Sequence, residues 1–200
     1  MKNLPFLLIY SRIVIALLIG SIAYLKVENF RVLIVVLMIV GLLTDIFDGI
    51  IARKLEVSSE KLRIWDSNVD QFFWIVVIAS VFYLNSIFIK ENYLPILIIV
   101  ALEVLAYIIS YLKFKRTIAT HSILAKFWTI TLLIFLIDLV LNSNSNLLFL
   151  ICIILGVVSR IEIIMIILSL KKWATDIPSI FLVRKINRGE VIKKNKLFNG

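Results

Sequence analysis

The stretch LLTDIFDGIIARKLEVSSEKLRIWDSNVDQFFW, Leu42 to Trp74, decides how this chain is read. Asp45 and Asp48 close one long apolar run, and Asp66 and Asp70 open the next. An ionised carboxylate is costly in hydrocarbon, so it persists where it pairs, binds a cation or does chemistry. Asp45, Asp48, Gly49 and Ala52 are spaced by three and four, which places them on one face of a helix. Asp66 and Asp70, four apart, share a face of the following helix. Residues 54–65 read as a short connection between two antiparallel helices. Four carboxylates then converge at one depth, close to a membrane surface.

The membrane follows from the rest of the chain. Of its 200 residues 62% are hydrophobic, and mean hydropathy is +1.05; soluble domains run near ~45–50% apolar. Six runs reach the roughly 20 residues that a spanning helix needs: Pro5–Leu25, Arg31–Ile51, Asp66–Phe88, Tyr93–Leu112, Leu124–Leu141 and Leu147–Leu170. The expected fold is an all-α integral membrane protein, a bundle of six transmembrane helices. Residues 1–172 are expected to form the six-helix transmembrane domain and residues 173–200 a basic cytoplasmic tail. Lys and Arg concentrate in residues 52–65, in residues 113–123 and after Leu170, whereas the opposite breaks offer only Lys26, Lys90 and Arg31. That bias puts both termini and all four aspartates on the cytoplasmic side. The net charge of +9 is therefore assigned to orientation and to anionic lipid or phosphate, not to nucleic acid. Cys152, the only cysteine, forms no intrachain disulfide and reads as a small buried hydrophobe. Richness in Ile, Lys and Asn fits an AT-rich bacterial genome, so a bacterial inner membrane is expected.

Four carboxylates at one depth repel one another unless cations neutralise them. Oxygen ligands without His or Cys select hard divalent ions, magnesium, manganese or calcium, over zinc, and magnesium or manganese is the cofactor expected here. Two such ions sharing carboxylates form a clamp for a phosphate in displacement. Gly49 and Ala52 keep side-chain bulk off that face, and Arg53 adds a cation matched to phosphate geometry.

Asp45, Asp48, Gly49, Ala52, Arg53, Asp66 and Asp70 also stand in a fixed order and spacing over 26 positions. That arrangement resembles the CDP-alcohol phosphotransferases, whose pattern is D-x-x-D-G-x-x-A-R, eight residues, G, three residues, D, three residues, D. One position departs: Leu62 stands where the family pattern has its second glycine. The resemblance implies transfer of a phosphatidyl group from CDP-diacylglycerol to a small alcohol, with release of CMP. It implies two divalent metals on Asp45, Asp48 and Asp66, with Asp70 sharing in ligation and taking the proton from the alcohol. Gly49, Ala52 and Arg53 would bind the donor, and a homodimer is implied as well. The family also carries an arginine at a place comparable to Arg12.

Further ionisable residues lie within the spans, Arg12 in the first, Glu103 in the fourth, Arg160 and Glu162 in the sixth. Arg160 is read either as a substrate contact or as one half of an internal pair with a carboxylate on a neighbouring helix. The segment KFKRTIATHSILAKFW, Lys113–Trp128, holds Arg116, Ser122 and Lys126, and the last two are one helical turn apart. With Arg160 they are the expected acceptor contacts, and so many cations favour a phosphorylated polyol such as glycerol 3-phosphate or an inositol phosphate. Two other functions fit the composition. A small divalent-cation carrier would spread polar groups along several helices, and a catalytically silent relative serving as a membrane scaffold would have Leu62 as its mark.

Overall fold

Helix α1 (Leu4–Leu25) is largely apolar, yet its two sides behave differently. Ile9, Ile15, Ala16, Ile19 and Ala23 are buried, while Leu7, Val14, Leu17 and Leu18 face outward. In water the outward leucines would be costly. In lipid they cost nothing, and the inner face is selected by size and fit. Ala16, Gly20 and Ala23 let α3 (Glu60–Leu84) come close, for a Cβ on Gly20 would already touch Val76 at 3.6 Å. Helix α2 (Phe30–Lys54) packs against α1 as well, and its Gly41 receives the ring of Phe73 from α3. A side chain at Gly41 would collide with that ring.

The structure is a computed structural model. It describes residues 4–55, 60–116, 118, 120, 122–175 and 177–190, apart from the side chains of Arg53, Glu60, Lys61 and Arg63. The remaining elements are α4 (Ser86–Glu91), α5 (Tyr93–Phe114), α6 (Ile123–Asn142), α7 (Asn146–Ser169), a 3₁₀ turn at Ile180–Leu182 and α8 (Val183–Asn187). No strand occurs among the described residues. Helices α1, α2, α3, α5, α6 and α7 are long and apolar enough to cross a bilayer, so the protein is an all-α integral membrane protein.

Two compact units are formed. Unit 1 holds Met1–Glu91 and Leu133–Ser145; unit 2 holds Asn92–Leu132 and Asn146–Gly200. Within unit 1, α1 contacts both α2 and α3, and the buried Ile34, Met38, Phe73, Val77 and Val81 fill the space among them. Within unit 2, α5 packs on α7, and Gly156 marks a close approach. A Cβ there would lie 2.6 Å from Trp128 Nε1 and 2.8 Å from Ile99.

Three boundaries differ from the hydropathy reading. The connection expected over residues 54–65 is shorter, because α2 runs to Lys54 and α3 starts at Glu60. Hydropathy ends where the apolar run ends, whereas a helix can extend a charged turn into water. The third span also stops at Leu84 and not at Phe88, with α4 following as a separate piece. Asn85 explains that break. Its amide Nδ2 donates to Val81 O at 2.9 Å, and its buried side chain competes with helix continuation. Finally, the part of the tail from Ile177 to Gly189 that is described is folded onto unit 2.

Candidate active site

The depth of each charged residue in unit 1 follows from helix rise. Arg12 lies eight residues into α1, about 12 Å from its start at ~1.5 Å per residue. Asp45 and Asp48 lie nine and six residues before the end of α2, which is about 14 and 9 Å. Asp66 and Asp70 lie six and ten residues into α3, about 9 and 15 Å. Since α1, α2 and α3 alternate in direction, all five charges reach one level.

There they meet on a single guanidinium. Arg12 Nη1 donates to Asp45 Oδ1 at 2.8 Å and also pairs with Asp70. Arg12 Nη2 donates to Asp48 Oδ2 at 2.5 Å and also to Asp66. The arginine is fully buried, with Nε left without a hydrogen-bond partner. The carboxylates grade outward: the Asp48 side chain is 3% exposed, Asp66 and Asp70 23%, and Asp45 34%. The cluster is thus sealed behind Asp48 and open on the side of Asp45.

One oxygen each from Asp45, Asp48 and Asp66 lies within 4.8 Å of the other two. Three oxygen donors with no His or Cys among them are the kind of ligand set that would suit a hard divalent cation. The charge balance fits too. One guanidinium offsets only part of four carboxylates, which leaves a negative excess for divalent cations to neutralise. Asp70 joins the set through the nitrogen that it shares with Asp45.

A family model for CDP-alcohol phosphatidyltransferases matches residues 2–178. The chain belongs to that family. Neither a curated protein nor a solved structure matches it. Members of the CDP-alcohol phosphatidyltransferase family pass a phosphatidyl group from a CDP-linked donor to an acceptor alcohol. The aspartates that carried the resemblance are the ones that converge here.

The remaining motif positions of this chain are packed in ways the sequence did not reveal. Leu62, at the position of the family glycine, is buried in a cluster with Ile9, Ala52 and Val69, and Ile13 leans on it. The small side chain of Ala52 is therefore in contact with apolar neighbours on α1 and α3. Gly49 is half-buried, and the side chain of Arg53 lies outside the described residues. Arg12 lies outside the motif spacing, and the structure brings it onto all four aspartates. Its depth was the available signal, because a lone cation that far into a span needs carboxylates at the same level.

The expected acceptor residues all belong to unit 2. Arg160 Nε sits 2.6 Å from Glu103 Oε2, and its guanidinium lies over the Trp128 ring at 4.1 Å. Arg160 is thus paired with a carboxylate on α5. Ser122 Oγ accepts from Ala125 N at 3.1 Å, which caps the first turn of α6. Lys126 is half-buried in that turn. Arg116 is exposed after the end of α5 and stacks over Trp173 at 4.8 Å. Lys113, in the last turn of α5, donates to Ile167 O at 3.0 Å and Leu168 O at 2.6 Å. It thereby satisfies carbonyls at the end of α7. His121 lies outside the described residues.

Proposed function

We propose that this protein transfers a phosphatidyl group from CDP-diacylglycerol to a small alcohol and releases CMP. Asp45, Asp48 and Asp66 would hold magnesium or manganese, as two ions. When bound, these ions neutralise charge on the phosphates of the donor and on the departing CMP. Asp70 accepts the hydroxyl proton as the alcohol oxygen bonds to the β-phosphorus. The bond from that phosphorus to the bridging oxygen breaks, and CMP leaves with the electron pair. Arg12 holds the carboxylates in register and offsets part of their repulsion, so the site stays assembled between turnovers. Gly49 and Arg53 border the same end of α2 and are assigned to the donor.

The observation that supports this reading most is the convergence of four aspartates from α2 and α3 on Arg12, with three oxygens within 4.8 Å. Leu62 argues against a silent scaffold. It packs with Ile9, Ala52 and Val69 while the aspartates remain gathered. For the acceptor we keep Arg116, Ser122, Lys126 and Arg160 as contacts for a phosphorylated polyol, with Ser122 also capping α6 and Arg160 also paired with Glu103. The site faces the cytoplasm of a bacterial inner membrane on the Lys/Arg bias. A homodimer belongs to the same reading, and light scattering on the detergent-solubilised protein tests it.

The deciding experiment is CMP release from CDP-diacylglycerol in vesicles, with magnesium or manganese and a panel of alcohols. Release that requires both metal and acceptor is expected, and chelation should stop it. No CMP with any acceptor would sink the proposal.

A further inference from the structure

Beyond α7 the chain turns back. Leu170, Ile177 and Val183 are buried with Ile166, and Phe114, Ala174, Ile180 and Ile186 pack around them. Ile177 N donates to Thr120 O at 2.7 Å, and Ile123 N donates to Pro178 O at 2.9 Å. Asn187 fixes the far end, for its Nδ2 donates to Ser169 O at 2.8 Å and its Oδ1 accepts from Lys171 N at 2.9 Å. Ser169 is the last residue of a membrane-spanning helix. A segment tied to that carbonyl sits at the level of lipid headgroups, whichever leaflet that is.

Its two faces differ sharply. Ile180, Val183, Ile186 and Asn187 face the protein, whereas Phe181, Arg184, Lys185 and Arg188 recur at offsets of three, four and seven on the other side and are exposed. Phe181 is 86% exposed and lies outside every spanning segment, so hydrocarbon around a span does not account for it. Lys171 and Lys172 extend the cationic surface, and Glu190, 3.7 Å from Arg188, is a rim-exposed counter-charge. An aromatic ring among cations at the end of a span matches the interfacial zone, where rings enter below the phosphates and Lys or Arg reach them.

We propose that the outer face of Ile180–Asn187 docks on the anionic surface of the membrane that the protein spans, with Phe181 inserted and Arg184, Lys185 and Arg188 on lipid phosphates. The family match ends at residue 178, so this face lies beyond it and the proposal does not rest on catalysis.

The test uses the full chain with Phe181→Cys carrying an apolar nitroxide label. Cys152 is buried, and the same labelling of the unsubstituted protein measures its background. The protein is reconstituted in phosphatidylcholine vesicles with and without phosphatidylglycerol. Collisions of the label with oxygen and with a water-soluble nickel complex then report its depth. Anionic vesicles should give an oxygen-rich, nickel-poor environment, which raised salt reverses. Arg184→Gln, Lys185→Gln and Arg188→Gln should each lower the docked-to-undocked ratio by about fivefold. The salt titration needs no second variant, so a folding defect in these would not blunt the test. A label equally open to nickel in both vesicles overturns the proposal. Insertion that is equally deep without anionic lipid overturns its electrostatic half.

Discussion

Arg12 and Arg160 both lie deep within membrane-spanning helices, and their surroundings could hardly differ more. Arg160 in unit 2 has one carboxylate, Glu103 at 2.6 Å, and an indole face to lie on. Arg12 in unit 1 has four carboxylates, two on each terminal nitrogen. A one-to-one pair is neutral and asks for nothing further. A cluster with more acids than bases carries a standing negative charge in a medium that penalises it, and bound cations would relieve that penalty. The contrast teaches that an intramembrane charge is informative through its imbalance, more than through its presence.

The sharpest way to break the comparison is Asp70→Asn. The amide keeps the shape but cannot take a proton, so turnover should fall by roughly a thousandfold. Manganese binding, followed by its electron paramagnetic resonance signal, should persist on the other three aspartates. Near-normal turnover would remove Asp70 from the role of base. Next in size is Arg160→Met, which strands Glu103 and should cost about 3–5 kcal/mol in unfolding. Adding Glu103→Leu should return most of that loss, because the pair is replaced by apolar contacts of similar volume. If the double variant is no better than the single, Arg160 does more than pair.

Asp48→Asn removes the most buried of the proposed ligands and should weaken manganese binding by roughly a hundredfold. Excess metal should restore part of the activity, which no excess can do for Asp70→Asn. Smaller still is Leu62→Ala. It opens a space beside Ile9, Ala52 and Val69 and should cost about 2 kcal/mol of stability. Donor KM should hardly move. A changed donor KM with stability intact would mean that Leu62 lines the ligand path.

Much of this was legible in the residues because lipid simplifies the problem. A run of about 20 apolar residues has one common outcome, so α1, α2, α5, α6 and α7 were found within a few residues of their ends. The aspartate faces were legible because helix periodicity is rigid over four or eight positions. What escaped needed depth or competition. Arg12 and Asp70 are far apart in sequence and meet only because three helices alternate in direction. Asn85 halts a helix by a local hydrogen bond that an apolar average cannot register. Leu62 looked like a defect in a motif, and its apolar partners on α1 and α3 are visible only after packing. Lys113 likewise became a helix cap through carbonyls 54 and 55 residues away.

The mildest test asks whether unit 2 contributes to substrate choice at all. Lys126 is half-buried in the first turn of α6, while Arg116 is exposed and stacked on Trp173. A half-buried ammonium is desolvated enough to favour an anionic partner, and a hydrogen bond to a charged group is worth more than one between neutral groups. Lys126→Ala should therefore raise the KM for a phosphorylated acceptor by roughly tenfold. Donor KM should stay unchanged, because the donor is assigned to groups on α2. Lys126→Arg should recover most of the loss, since it keeps the charge. The split between the two Michaelis constants is what carries the meaning. A general weakening of the fold would lower kcat for every acceptor and leave the ratio between phosphorylated and neutral alcohols alone. If that ratio does not change, Lys126 serves the topology of unit 2, and the acceptor is recognised without it.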